Sequence, residues 1–307
     1  MTIEAKIVEH SVADHGKRLA TYQLRYPRFI HAELMTHRVF SRNASSSRAI
    51  PVAKLIAEVR HSPAMPIHWG KNQPGMQANE ECDELIIVPE ALHEAYGKYC
   101  GFGDIVLPKP QKTEREHFWQ FLGWLQTLGA EAFATAGYHK QIVNRRLEAD
   151  SHISVILTAT EFDNWNELRA HKDAQPEIHK LALCMQEAER ASTPVFRPRD
   201  RLIADAWHLP YVTAEERANF HDQPLFLAKL SAARCARVSY LNHDGSLPDP
   251  VKDIDLYEKL VGGRPLHASP VEHQAYPLPL ATQQSKNFFG WRQHRELVEH
   301  DIFTTHN

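Results

Sequence analysis

Residues 36–48 read THRVFSRNASSSR. His37, Arg38, Arg42 and Arg48 bring cations or switchable donors, and Thr36, Ser41, Asn43, Ser45, Ser46 and Ser47 bring short polar groups. Few strong apolar side chains interrupt them, so the segment is not expected as a core element. Such a composition suits wrapping around an anionic, planar, hydrogen-bonding ligand, where arginine forks grip phosphate or carbonyl oxygens. A solvated loop with an accidental basic cluster fits the same composition equally well.

The flanks are more regular. Upstream, residues 4–10 and 18–25 predict two strands joined by a turn at Asp14-His15-Gly16, with Ala20, Tyr22 and Leu24 alternating with polar neighbours. Pro27 ends the second strand. From Arg28 to about Met35 the pattern predicts a short helix with Phe29, Ile30, Leu34 and Met35 inward. Downstream, Val52, Leu55, Ile56 and Val59 at helical spacing behind Pro51 predict a helix over 51–62. Residues 63–79 read as loop, 83–100 as helix and 101–112 as loop with Gly101, Gly103, Pro108 and Pro110. Thr113 and Glu116 suggest a capping box for the next helix, whose Phe118, Phe121, Leu122, Leu125 and Leu128 form a core-type stripe. A further helix is expected over 138–148, a strand over 151–160, a helix start near Glu161–Asp163, and another helix from Pro176 with Ile178, Leu181, Ala182 and Met185 on one face.

Pro194, Pro198, Pro210 and Pro224 mark 191–224 as an irregular connector. Beyond it, 225–240 reads helical then extended, 241–252 as polar loop, and 253–261 as a short helix. The expected class is α+β, a mixed sheet with flanking helices. The expected organisation is residues 1–190, a connector at 191–224, and a C-terminal part at 225–307 packed into the same site.

The order of residues in 36–48 adds specificity. The segment resembles the RHRxxSxNExSxR signature of flavin-dependent thymidylate synthases: the His, Arg, Ser, Asn, Ser and final Arg match in register. Two positions depart, since Thr36 stands for the first Arg and Ala44 for the Glu. Residues 164–178, NWNELRAHKDAQPEI, are similar to the family's NxxxLRxxxxAQxEI helix. Ala236-Arg237-Val238-Ser239-Tyr240 and His267-Ala268-Ser269-Pro270-Val271-Glu272-His273 resemble its AARVSY and HxxPFEH segments, which in the family precede the signature. Their position here implies a circular permutation or a partial duplication, with His294-Arg295 as a degenerate second copy.

The resemblance implies a flavin-dependent thymidylate synthase-like fold and FAD-dependent transfer of a one-carbon group from methylenetetrahydrofolate to C5 of a pyrimidine deoxynucleotide, with NADPH as reductant. It implies that His37, Arg38, Asn43 and Asn164 hold FAD, and that Ser269, Glu272 and His267 contact flavin or lie near the folate. Ser45, Ser46, Ser47, Arg48 and Arg145 (or its neighbour Arg146) would bind the nucleotide. Arg169 would be catalytic, because a fixed guanidinium stabilises the negative charge that builds on the N3/O4 side when C5 becomes nucleophilic. The departures at Thr36 and Ala44 leave open a cytosine nucleotide, a hydroxymethyl product, or a binding protein without turnover. A homo-oligomer is implied by the resemblance alone.

The remaining features of the sequence are unremarkable for such an enzyme. The 307 residues are 43% hydrophobic and 24% charged with net charge −3, which does not suggest a protein that coats polymeric nucleic acid or anionic lipid. Cys82, Cys100, Cys184 and Cys235 form no CxxC pair. The 20 histidines include no HExxH, and are expected as scattered surface and pocket residues rather than metal ligands. A Rossmann fingerprint and a nucleophile elbow are absent. The charged N-terminus and the lack of a spanning apolar run predict a reduced, cytoplasmic protein without a membrane segment.

Overall fold

The computed structural model describes residues 3–102, 111–242 and 245–304. In chain order come β1 (Glu4–Ala13), β2 (Arg18–Pro27), α1 (His31–Leu34), β3 (Ser41–Ala44), α2 (Val52–His61), β4 (Ile86–Ile87), α3 (His93–Tyr99), β5 (Lys112–Thr113), α4 (Arg115–Thr135) and α5 (Lys140–Val143). There follow β6 (His152–Ala159), α6 (Asp163–Arg169), α7 (Pro176–Arg190), β7 (Val195–Arg197), α8 (Ala214–Asn219), α9 (Pro224–Arg237) and α10 (Pro250–Tyr257). The last are β8 (Ala275–Pro277), β9 (Gln284–Ser285), β10 (Phe288–Phe289), β11 (Trp291–Gln293) and α11 (His294–Thr304). The fold is α+β around a five-stranded mixed sheet of order β3-β6-β2-β1-β7. Among the described residues, no helix is long and apolar enough to cross a membrane.

The two faces of the sheet differ, and the strand sequences say why. Ala20, Tyr22, Leu24 and Tyr26 of β2 alternate onto one face, joined by Ile153, Val155, Leu157 and Ala159 of the antiparallel β6. That face is apolar. The amphipathic α7 covers it with Ile178, Leu181, Ala182 and Met185, and Ile30, Leu34 and Trp165 complete the cluster. The Gln175 side chain accepts from the Ile178 amide at 3.1 Å and Pro176 occupies the first turn, so α7 starts where the sequence places it. The opposite face presents Ser11, Thr21, Thr158 and Ser41, all buried. Hydrophobic burial alone would not hold that face, so it needs polar partners.

Several expectations are corrected. The helix after Pro27 is a 3-10 turn followed by α1, and Phe29 and Met35 face solvent while Ile30 and Leu34 are buried. Residues 83–100 are not one helix: β4 and a 3-10 turn at Pro89 precede the short α3. The capping box of Thr113 and Glu116 is not formed. Thr113 lies in β5, where its hydroxyl meets Tyr96 at 2.7 Å and His117 at 3.1 Å, and Glu114 is the N-cap. The stripe on α4 is only partly core: Phe121 is buried, whereas Leu122 and Leu128 are exposed. Residues 191–224 contain β7, which pairs in parallel with β1 through Ser11↔Val195, and α8, which has a complete capping box of Thr213 and Glu216. Most of the loop expected at 101–112, including Gly103, Pro108 and Pro110, lies outside the described residues, as do residues 243–244 of the loop expected at 241–252.

Candidate functional site

The segment 36–48 straddles the sheet edge. Residues 35–40 turn out of α1, and residues 41–44 enter β3, which pairs Ser41↔Thr158 through Ala44↔Val155. It is therefore partly a core element after all: His37, Phe40, Ser41 and Ser47 are buried. Short polar side chains serve an edge strand well, because each finds a backbone or side-chain partner there. Arg42 folds back over α1, and its Nη1 donates to the carbonyls of His37 at 2.9 Å and Met35 at 3.1 Å. Met35 is the C-cap of α1, so the guanidinium closes off the end of that helix and the turn after it.

Arg169, at the end of α6, is brought to the same turn. Its Nε donates to His37 Nε2 at 3.1 Å, its Nη1 pairs with Glu33 at 3.1 Å, and its Nη2 reaches Thr36 Oγ1 at 3.5 Å. His37 is packed edge-on against Trp165 and stacked with Phe40. Burial, with Arg169 and then Arg42 beside it, lowers its pKa. Three partners hold the guanidinium plane in one orientation while its side chain remains 16% exposed. Asn164, on the same helix, is exposed and has no side-chain partner among the described residues.

On the other face of β3 lies the 3-10 turn Ser269–Glu272. Ser269 Oγ donates to Asn43 Oδ1 at 2.9 Å, and Asn43 Nδ2 donates to the Cys235 carbonyl at 2.9 Å. Segments 36–48 and 267–273 thus meet at Asn43, which also holds Cys235, the residue just before 236–240. Glu272 pairs with Arg295, which follows His294 at the start of α11. Burial raises the Glu272 pKa, against the opposing pull of Arg295 and Arg42. His267 is exposed.

A third group follows β3. Ser45 Oγ accepts from the Ser154 amide at 3.1 Å. Ser47 Oγ donates to Glu148 at 2.6 Å, and Arg145 pairs with the same carboxylate at 3.2 Å. Asn144 Nδ2 ties the loop down through the carbonyls of Ser47 at 2.7 Å and Ile50 at 2.9 Å. Ser46, Arg38 and Arg48 are exposed and have no side-chain partner among the described residues. Exposed arginines without an acid partner, beside short hydroxyls, form a surface open to an anion.

Among the described residues the three groups lie on different sides of β3. Arg169 and His37 lie on the α1 side of β3, while Asn43 and Ser269 lie on the other. A cavity of about 530 Å³ is lined by residues of β1, β2, 211–213 and 239–241, including Gln23, Tyr211 and Tyr240, and by none of the expected ligand residues.

Sequence reasoning missed the buried histidines. His208 and His273 are fully buried, and His37, His152 and His294 nearly so, which corrects the expectation of scattered surface and pocket residues. No local pattern marked them: Thr21 in β2 and Thr158 in β6 are single hydroxyls in separate strands, aligned only by strand register.

No family model matches the chain, and no curated protein matches it in sequence. Among solved structures it is similar to the UMP/dUMP methylase PolB from Streptomyces cacaoi bound with 5-Br UMP, at 15% identity and TM-score 0.39, covering 62% of this chain and 89% of that chain. The same enzyme bound with 5-Br dUMP gives 15% identity and TM-score 0.40, covering 62% and 90%. So distant a likeness assigns neither an activity nor a site residue.

Proposed function

We propose that this chain is a flavin-dependent enzyme that modifies C5 of a pyrimidine deoxynucleotide, taking a one-carbon group from methylenetetrahydrofolate with NADPH as reductant. The observation that carries the reading is the convergence on β3 of segments far apart in sequence: Arg169 on His37, and Ser269 on Asn43. Each contact joins two segments that independently resemble parts of one family's site.

The residues fit FAD in part. Arg38, Asn164 and His267 are exposed with polar groups available to an anionic, hydrogen-bonding cofactor. His37 and Asn43 already use polar atoms inside the protein, so their role is to shape the surface that the others present. When bound, reduced FAD supplies the hydride. Arg48, Ser46 and Arg145 would hold the nucleotide phosphate, and Arg169 would face the N3/O4 side of the base, its guanidinium already oriented before charge develops. Because the three groups lie on two faces of an edge strand, assembly of copies would close the site.

A second reading is favoured by Ala44: the carboxylate that the family places there is missing, and a flavin or nucleotide binder without methyl transfer, or a hydroxymethylase acting on dUMP or dCMP, would tolerate the loss. Purified protein separates these readings. Bound flavin with methylated dUMP supports the first; bound flavin with a hydroxymethylated nucleotide or no turnover supports the second. Colourless protein that binds no FAD refutes both flavin readings.

A further inference from the structure

The polar face of the sheet carries hydroxyls in register. Ser41 pairs across to Thr158, Thr158 to Thr21, and Ser11 of β1 lies diagonal to Thr21. His208 bridges two of them, with Nδ1 at 2.8 Å from Ser11 Oγ and Nε2 at 2.7 Å from Thr21 Oγ1. Thr21 Oγ1 lies 2.7 Å from Thr158 Oγ1, which lies 2.8 Å from His273 Nδ1. At the near end Arg197 Nε reaches Ser11 Oγ at 3.3 Å, its guanidinium anchored on Glu9 at 2.6 Å and on the Asp205 carbonyl at 3.2 Å. At the far end His273 Nε2 is buried and has no partner among the described residues.

Distances do not say which atom donates, but one member has no choice. A guanidinium only donates, so Ser11 Oγ accepts from Arg197. Ser11 then gives its own proton to His208 Nδ1, which makes His208 the Nε2–H tautomer. That N–H donates to Thr21, Thr21 to Thr158, and Thr158 to His273 Nδ1. His273 is left with its proton on Nε2. Running the chain backwards strands two groups, the Ser11 hydroxyl proton and the His273 Nε2 lone pair, where the forward order strands only the His273 Nε2–H. Unmade hydrogen bonds in a dry interior are costly, so the forward order wins. Burial keeps both rings neutral: it drives the His208 pKa well below its ordinary value and that of His273 down to about 3.

We propose that this one-way chain makes His273 a positioning residue. Held in one tautomer on Thr158, its ring ties the adjoining turn Ser269–Glu272 to the middle of the sheet, and so keeps Ser269 on Asn43. None of this depends on which ligand the surface binds.

The test is ¹⁵N NMR of the full chain labelled at histidine, with His208→Gln and His273→Gln used for assignment. The expected result is a protonated Nε2 and a bare Nδ1 on both rings. In Thr158→Val, hydrogen exchange of the 269–273 amides should speed up more than tenfold, and Thr158→Ser should restore it. A wild-type His273 or His208 protonated on Nδ1 overturns the one-way chain. Unchanged exchange in Thr158→Val overturns the positioning role. Should Thr158→Val not fold, the wild-type tautomers still decide the direction, and His273→Phe, which keeps the ring but loses the bond, is read by the same exchange.

Discussion

Arg169 Nε donates to His37 Nε2 across 3.1 Å, joining two residues 132 positions apart. The bond requires an unprotonated Nε2, so a charged arginine and a neutral histidine form a unit. The same turn supplies Glu33 and Thr36 to the guanidinium. An arginine fixed in this way can stabilise developing charge without first reorganising.

The buried neutral histidines predict acid sensitivity. His37, His208, His273 and His294 all have pKa values lowered chiefly by burial, with His273 at about 3 and His294 at about 4. In the unfolded chain they titrate near 6.5. Between those values the unfolded state binds more protons, so stability rises with pH there. Stability is intact above about 6.5 and falls as pH drops toward 4, by up to roughly 1.4 kcal/mol per pH unit for each of His273 and His294. Urea midpoints at pH 7.5, 6.5 and 5.5 should decline steeply only over the last interval.

Arg169→Ala should lower turnover at least ~100-fold, the size seen when one fixed electrostatic donor is lost. Arg169→Lys should recover little, since an ammonium cannot engage His37, Glu33 and Thr36 in one plane. Steady-state rates on protein shown to be folded by circular dichroism check this.

Arg48 has no side-chain partner among the described residues, so Arg48→Ala should change stability by less than about 0.5 kcal/mol. It should nonetheless weaken nucleotide binding, and flatten its dependence on salt. Calorimetric titration with dUMP at two ionic strengths measures both effects.

Asp253 is a fully buried charge that holds two cations. Its carboxylate takes Arg234 Nε at 2.8 Å and also Arg237, while Arg234 reaches Glu216 at 2.6 Å, and Arg234 and Asp253 are fully buried. Removing the aspartate strands Arg237 and leaves Arg234 with Glu216 alone. Asp253→Ala should cost about 3–5 kcal/mol, read as a lower denaturant midpoint.

What the sequence revealed, and what it hid, follows the range of the interactions. The strand at 152–159 and the helix at 176–190 were legible because burial imposes a period on neighbouring residues. Thr113 and Glu116 had the spacing of a capping box, but Tyr96 and His117 offered Thr113 better partners in space. Ser41, Thr21 and Thr158 looked like ordinary strand hydroxyls, and only the register of the strands aligns them beneath His208 and His273. At the candidate site the residue types of 36–48 and the motif around Arg169 were readable. Their division between two faces of β3, with Asn43 turned to Ser269 and Arg42 to the end of α1, was not.

One assay tests the proposed activity most directly: purified protein with FAD, methylenetetrahydrofolate, NADPH and either dUMP or dCMP, with the nucleotide product identified by mass spectrometry. Flavin should co-purify or bind on addition, and the nucleotide should gain one carbon at C5 only when all components are present. Protein that takes up no flavin, and returns both dUMP and dCMP unchanged, contradicts it.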